Sequence, residues 1–124
     1  MTRSRASAKK AGTAHETSVA AYLAEHVDDR IERRARNGAK DRGDVSGLRA
    51  PGGGRLVVEC KNTARVDLAG WAAEAEDERG NDDALAAVVV HKRHGKGAAA
   101  EQWVTCTLRD FVALLTGHRP EEST

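Results

Sequence analysis

The chain predicts an α/β fold in which a central mixed sheet is flanked by helices, with a core order of α-β-β-β-α-β. Three observations carry that expectation. Stripes of helical period lie at both ends and in the middle of the sequence, at 13–26, 66–79 and 107–117. Two apolar stretches of strand length, Arg55 to Lys61 and Ala84 to His91, separate them. Pro51-Gly52-Gly53-Gly54 marks a tight turn ahead of the first of those stretches.

From Thr13 to His26, Glu16, Val19, Ala20, Leu23 and Val27 recur at helical spacing and give one face for packing on a sheet. A short strand is expected at Arg30 to Ala35, ending at Asn37-Gly38. A second covers Asp44 to Arg49, turns at Pro51 to Gly54 and pairs with a third at Arg55 to Lys61. The second helix covers Val66 to Arg79, with Leu68, Trp71, Ala72 and Ala75 on one side, until Asn81-Asp82-Asp83 breaks it. Leu85-Ala86-Ala87-Val88-Val89-Val90 is apolar without interruption, as in a strand buried on both faces beneath helices. A basic, glycine-rich loop follows, then a fifth strand at Gln102 to Cys106. Thr107-Leu108-Arg109-Asp110 reads as a capping box opening a last helix in which Phe111, Leu114 and Leu115 face inward and Gly117 stops the helix.

At 124 residues and 13.3 kDa the chain has the size of one domain. Residues 1–12 read as a mobile basic arm, 13–117 as the domain and 118–124 as a tail. The net charge of +1 hides an uneven distribution. Arg3, Arg5, Lys9 and Lys10 occupy the first ten residues without an acid, and Arg30, Arg33, Arg34, Arg36, Lys40 and Arg42 face only Glu32 and Asp41. Acids gather instead in Glu74, Glu76, Asp77, Glu78, Asp82 and Asp83. A basic side with Arg34, Arg36, Lys40 and Arg42, joined by Lys92, Arg93 and Lys96, suits phosphate contact, with the acidic side turned away. No run approaches the ~20 apolar residues of a membrane span, and a soluble intracellular protein is expected. Cys60 and Cys106 sit in apolar segments as small buried thiols. His91 and His94 have no nearby ligands for zinc, and Pro51 to Gly54 lacks the Lys-Ser/Thr of a phosphate-cradling loop. With 3% aromatic residues, one or both of Trp71 and Trp103 are expected to fill the core, and neither is assigned to base stacking.

Asp44 and Glu59-Cys60-Lys61 carry the chemistry. In the run Arg55 to Lys61 a period of two puts Leu56, Val58 and Cys60 on one face and Val57, Glu59 and Lys61 on the other. Glu59 and Lys61 beside an apolar strand cost several kcal/mol unless each is partnered, and a cation shared with Asp44 supplies a partner. Gly43-Asp44-Val45 with Glu59-Cys60-Lys61 resembles the PD-(D/E)XK nuclease superfamily, with glycine in place of the proline. Lys10-Ala11-Gly12, then Glu16, Asp44 and Glu59-Cys60-Lys61, is similar in order to the archaeal-type Holliday junction resolvases, over about residues 9–115. Thr13-Ala14-His15-Glu16 also fits a capping box, which would give Glu16 a structural role.

The resemblance implies a restriction-endonuclease-like fold and catalytic roles for Glu16, Asp44, Glu59 and Lys61. Asp44, Glu59 and the Cys60 backbone carbonyl would hold Mg²⁺, with Mn²⁺ as a substitute. Glu16 would hold a water of the ion or a second ion, and Lys61 would orient the attacking water or stabilise the transition state. The implied activity is phosphodiester hydrolysis in branched DNA, foremost four-way junctions, by a homodimer with two sites. Other DNA endonucleases of the superfamily, or a silent nucleic-acid-binding module, are the alternatives.

Overall fold

The computed structural model describes residues 4–35 and 41–120, in the order α1 (Arg5–His26), β1 (Glu32–Arg33), β2 (Val45–Ser46), β3 (Leu56–Lys61), α2 (Leu68–Asp82), β4 (Ala86–His91), a 3₁₀ turn at Ala99–Glu101, β5 (Trp103–Thr105) and α3 (Leu108–Thr116). The five strands form one mixed open sheet in the order β1-β2-β3-β4-β5. β3 and β4 are parallel and in register from Leu56 opposite Ala86 to Lys61 opposite His91, and all other pairings are antiparallel. The expected turn joins β2 to β3, closed by Ala50 N–H to the Gly54 carbonyl and Gly53 N–H to the Ala50 carbonyl, each 2.8 Å.

Parallel neighbours need a long crossover, and α2 provides it. The period of two along β3 and β4 then sorts the side chains into two cores. Val58, Cys60, Val88 and Val90 face Val19 and Ala20 of α1. Val57, Ala87 and Val89 face Trp71 and Ala75 of α2. Trp71 is therefore core, while Trp103 is 49% exposed, beneath the Arg93 guanidinium at 4.5 Å. Cys60 is buried, Cys106 half-buried, and both are free thiols. Among the described residues no helix is long and apolar enough to cross a membrane.

Two sequence-based expectations about helix ends do not hold. α1 begins at Arg5, not near Thr13, so residues 5–12 are helical, and Ser4 caps the helix by accepting from Ser7 N–H at 3.1 Å; the first three residues lie outside the described ones. Alanine and lysine, which favour helix, hold five of the six positions 6–11 and carry it back over that stretch. Thr13 lies in mid-helix, so Thr13 and Glu16 form no capping box. Val27, expected on the packing stripe, is the C-cap residue and lies exposed. Arg119, in the segment read as a tail, binds Asp110 at 2.9 Å and donates to the Leu85 carbonyl.

α3 is rotated from the expected orientation. Asp110 and Ala113 are buried and Leu114 packs on the core, whereas Leu108, Phe111 and Leu115 are exposed. Asp110 determines that rotation. Thr107 Oγ1 accepts from the Asp110 amide at 3.2 Å, but the Asp110 carboxylate does not return to the cap. It turns inward, where Oδ2 accepts from Ala87 N–H and Oδ1 from Arg119, both at 2.9 Å. Removing it strands the buried Ala87 amide and takes the nearest carboxylate from the Arg119 guanidinium. Asp110→Ala is therefore expected to lower stability by about 3 kcal/mol in chemical denaturation. A loss near that of an exposed substitution would mean that Asp110 does not fasten α3 to the sheet.

Candidate active site

Asp44 stands immediately before β2, where Gly43 brings the chain in with φ +97°. That backbone is closed to proline, whose ring fixes φ near −65°. A Cβ on Gly43 would also approach Val57 Cγ1 at 2.9 Å and the Val58 carbonyl at 3.0 Å. A glycine immediately before Asp44 thus has a local reason. Asp44 N–H donates to the Val58 carbonyl at 2.8 Å, and its carboxylate Oδ2 accepts from Cys60 N–H at 2.8 Å. Cys60, expected to offer its carbonyl to a metal, meets Asp44 through its amide.

Glu59 lies on the α2 face of β3 and is buried. Burial and the neighbouring Glu59 push the Asp44 carboxyl up to about 8. Burial likewise pushes Glu59 up to about 8, with Glu78 adding to the shift. Lys61 is half-buried, and its Nζ binds Glu74 Oε2 at 2.7 Å. Burial alone would pull its ammonium down, but Glu74 and the neighbouring Glu59 raise it overall. Glu16 enters from α1 and binds Arg33 of β1 at 3.1 Å. Burial and the Asp44 charge raise its carboxyl against the pull of Arg33.

The acidic segment of α2 does not form one side turned away from the site. Trp71, Glu74, Ala75 and Glu78 share the helix face over β3. Glu74 reaches Lys61, and Glu78 reaches Glu59. One oxygen from each of Asp41, Glu59 and Glu78 lies within 4.8 Å of the other two. Burial, with Asp41 and Asp44 nearby, pushes Glu78 up to about 7. Glu76 and Asp82 instead face Arg79 and Arg55. The donor set is all carboxylate oxygen, which fits a hard divalent cation rather than zinc or copper.

The basic residues divide. Arg3, Arg36 and Lys40 lie outside the described residues. Arg5, Lys9 and Lys10 are exposed along the first turns of α1, and Arg42 is exposed beside the site. Arg34 is half-buried and donates to the Arg42 carbonyl at 3.3 Å. Lys92 N–H donates to the Lys61 carbonyl at 2.9 Å, so the loop with Lys92 and Lys96 leaves the sheet beside Lys61. Asn62 ties the same end to α1 through the Ala11 carbonyl, at 3.4 Å. Arg93 is paired with Glu101 at 3.2 Å.

No family model matches the chain, and no curated protein or solved structure matches it.

The raised carboxyls fix how stability depends on pH. Asp44, Glu59 and Glu78 bind protons in the fold at pH values where the unfolded chain, at 3.8 for Asp and 4.5 for Glu, has released them. The fold is therefore favoured at low pH, and that contribution is lost as pH rises from about 4 to about 8. In EDTA, the melting temperature should fall through that window, and Mn²⁺ should restore it most at the alkaline end. A melting temperature that rises from pH 5 to pH 8 in EDTA would contradict the shared burial of these acids.

Proposed function

We propose that the chain is a metal-dependent, structure-selective DNA endonuclease of the PD-(D/E)XK type, acting on four-way junctions as a homodimer. The observation that carries it is the convergence of Asp44, Glu59 and Lys61 at one end of β3, with Glu59 buried and Asp44 half-buried where their charges disfavour folding unless a cation joins them. The helix, three strands, helix and parallel fourth strand support the restriction-endonuclease-like reading of the fold.

Asp44 and Glu59 would hold the cation, Mg²⁺ or Mn²⁺ in its place. When bound, it would neutralise charge developing on the phosphate and promote ionisation of the attacking water. The chain's own residues do the rest. Lys61 is held by Glu74 and lies near Glu59, and its ammonium would orient the water or meet the phosphoryl charge. Glu16, anchored by Arg33, holds a second carboxylate on the α1 side of Asp44. The Cys60 amide keeps Asp44 from swinging away.

Arg5, Lys9 and Lys10 on α1 and Lys92 and Lys96 beside Lys61 form the phosphate track, which reads backbone and shape rather than base edges. Leu108, Phe111 and Leu115 on α3, next to the edge strand β5, offer an apolar surface to a second copy. The second reading is a silent nucleic-acid-binding module, favoured by the ion pairs that occupy Lys61 and Glu16.

A labelled panel of duplex, single-strand, flap, three-way and four-way DNA, with Mg²⁺ or EDTA, separates the readings. Metal-dependent cleavage with roughly tenfold or greater preference for the four-way junction is expected. Equal cleavage of junction and duplex removes the resolvase assignment, and metal-indifferent binding without cleavage leaves the silent module. Glu59→Gln and Lys61→Ala should each lower cleavage by at least about a hundredfold while leaving DNA affinity within a few-fold. Near wild-type cleavage by Glu59→Gln would mean the site lies elsewhere.

A further inference from the structure

Glu78 is 3% exposed, and neither of its carboxylate oxygens has a hydrogen-bond partner among the described residues. A carboxylate taken out of water in that condition opposes folding by several kcal/mol. The neighbouring cations are engaged elsewhere: Lys61 with Glu74 and Arg79 with Glu76. The group facing Glu78 is another acid, Glu59, which satisfies it only by sharing a proton. Packing does not ask for an acid here, because the same helix face carries Trp71 and Ala75 in an apolar cluster where leucine or methionine would fit. Asp41 closes the group from the loop before β2, its Oδ1 oriented by the Gly43 amide at 2.9 Å.

We propose that Glu78 is a metal ligand, and that a hard divalent cation is held among the carboxylates of Asp41, Glu59 and Glu78, with one ligand delivered by helix α2. The proposal rests on the reading of Glu59 as part of a metal centre and extends it to two residues outside the Asp44 and Glu59-Cys60-Lys61 motif. An ion there answers three like charges at once and supplies both Glu78 oxygens with the partner the protein withholds. It also makes the ion a fastener between α2 and the sheet, since Glu78 belongs to the helix and Glu59 to β3.

The test is Mn²⁺ binding to the full chain, followed by electron paramagnetic resonance and by the Mn²⁺-induced rise in melting temperature, above about pH 8, where Glu59 and Glu78 are ionised. Glu78→Gln, the volume-conserving Glu78→Met and Asp41→Asn should each weaken Mn²⁺ by at least about tenfold. In EDTA, Glu78→Met should melt at or above the wild type, because an unpartnered acid has gone. Asp77→Asn, exposed on the same helix, should bind as the wild type does. Undiminished affinity in either Glu78 variant, or in Asp41→Asn should the helix variants fail to fold, overturns the assignment and leaves Glu78 as a proton-sharing neighbour of Glu59. The nuclease reading fails separately. Glu78-dependent Mn²⁺ binding without cleavage of any DNA in the panel would keep this site and lose the endonuclease. Mn²⁺-dependent cleavage with affinity indifferent to Glu78 would do the reverse. A wild type that binds no Mn²⁺ overturns both.

Discussion

Three carboxyl groups, two of them buried and one half-buried, meet at one end of the central strand, and the surrounding structure is shaped by that constraint. Asp44, Glu59 and Glu78 come from a loop, a strand and a helix, so mutual repulsion would drive those elements apart if all three were charged and unpartnered. What holds them is apolar burial on both faces of β3 and β4, where Val57, Val58, Val89 and Ala86 are almost fully enclosed. The acids are tolerated because the strands carrying and facing them are among the most deeply packed in the molecule.

The same end of the sheet is braced by polar ties between separate elements. Asp44 takes the Cys60 amide, Lys61 takes Glu74, Arg33 takes Glu16, and His15 Nε2 donates to the Val90 carbonyl at 3.0 Å. Each tie joins a different pair of elements, so α1, β1, β3, β4 and α2 are fixed relative to one another where the carboxylates meet. A site assembled this way has no local version: it is absent from any fragment that lacks one of the layers.

Much of this was legible in the sequence. The stripe of Val19, Ala20 and Leu23, the Pro51 to Gly54 turn and the unbroken apolar run through Val90 correctly locate α1, the hairpin and β4, because burial and turn chemistry act over a few residues. Period two along β3 correctly places Glu59 and Lys61 on one face. The helical stretch from Arg5 to Gly12 escapes a reading by periodicity because an exposed helix has no apolar period, although its alanines and the Ser4 cap are visible signals. Hydrophobicity alone points Phe111 and Leu115 inward, whereas the rotation of α3 follows the long-range bonds of Asp110 to Ala87 and Arg119. Glu74 and Glu78 were read with the other acids of α2. Their spacing with Trp71 and Ala75 put them on the packed face, but only the crossing of α2 over β3 says what they meet there.

That crossing carries a further consequence. A strand, helix and parallel strand connect with one preferred hand, which originates in the L-configuration of the residues and takes the helix to one side of the sheet. In this chain α2 covers the side bearing Val57, Glu59 and Lys61, while α1 covers the side bearing Val58 and Cys60. A slip of β3 by one residue would offer α2 the apolar Val58 and Cys60 face and turn Glu59 toward the valines beneath α1. Chirality and strand register together therefore determine which side of a nearly symmetrical, valine-rich sheet is acidic. The chemistry of the molecule is in this sense a property of its handedness before it is a property of any single side chain.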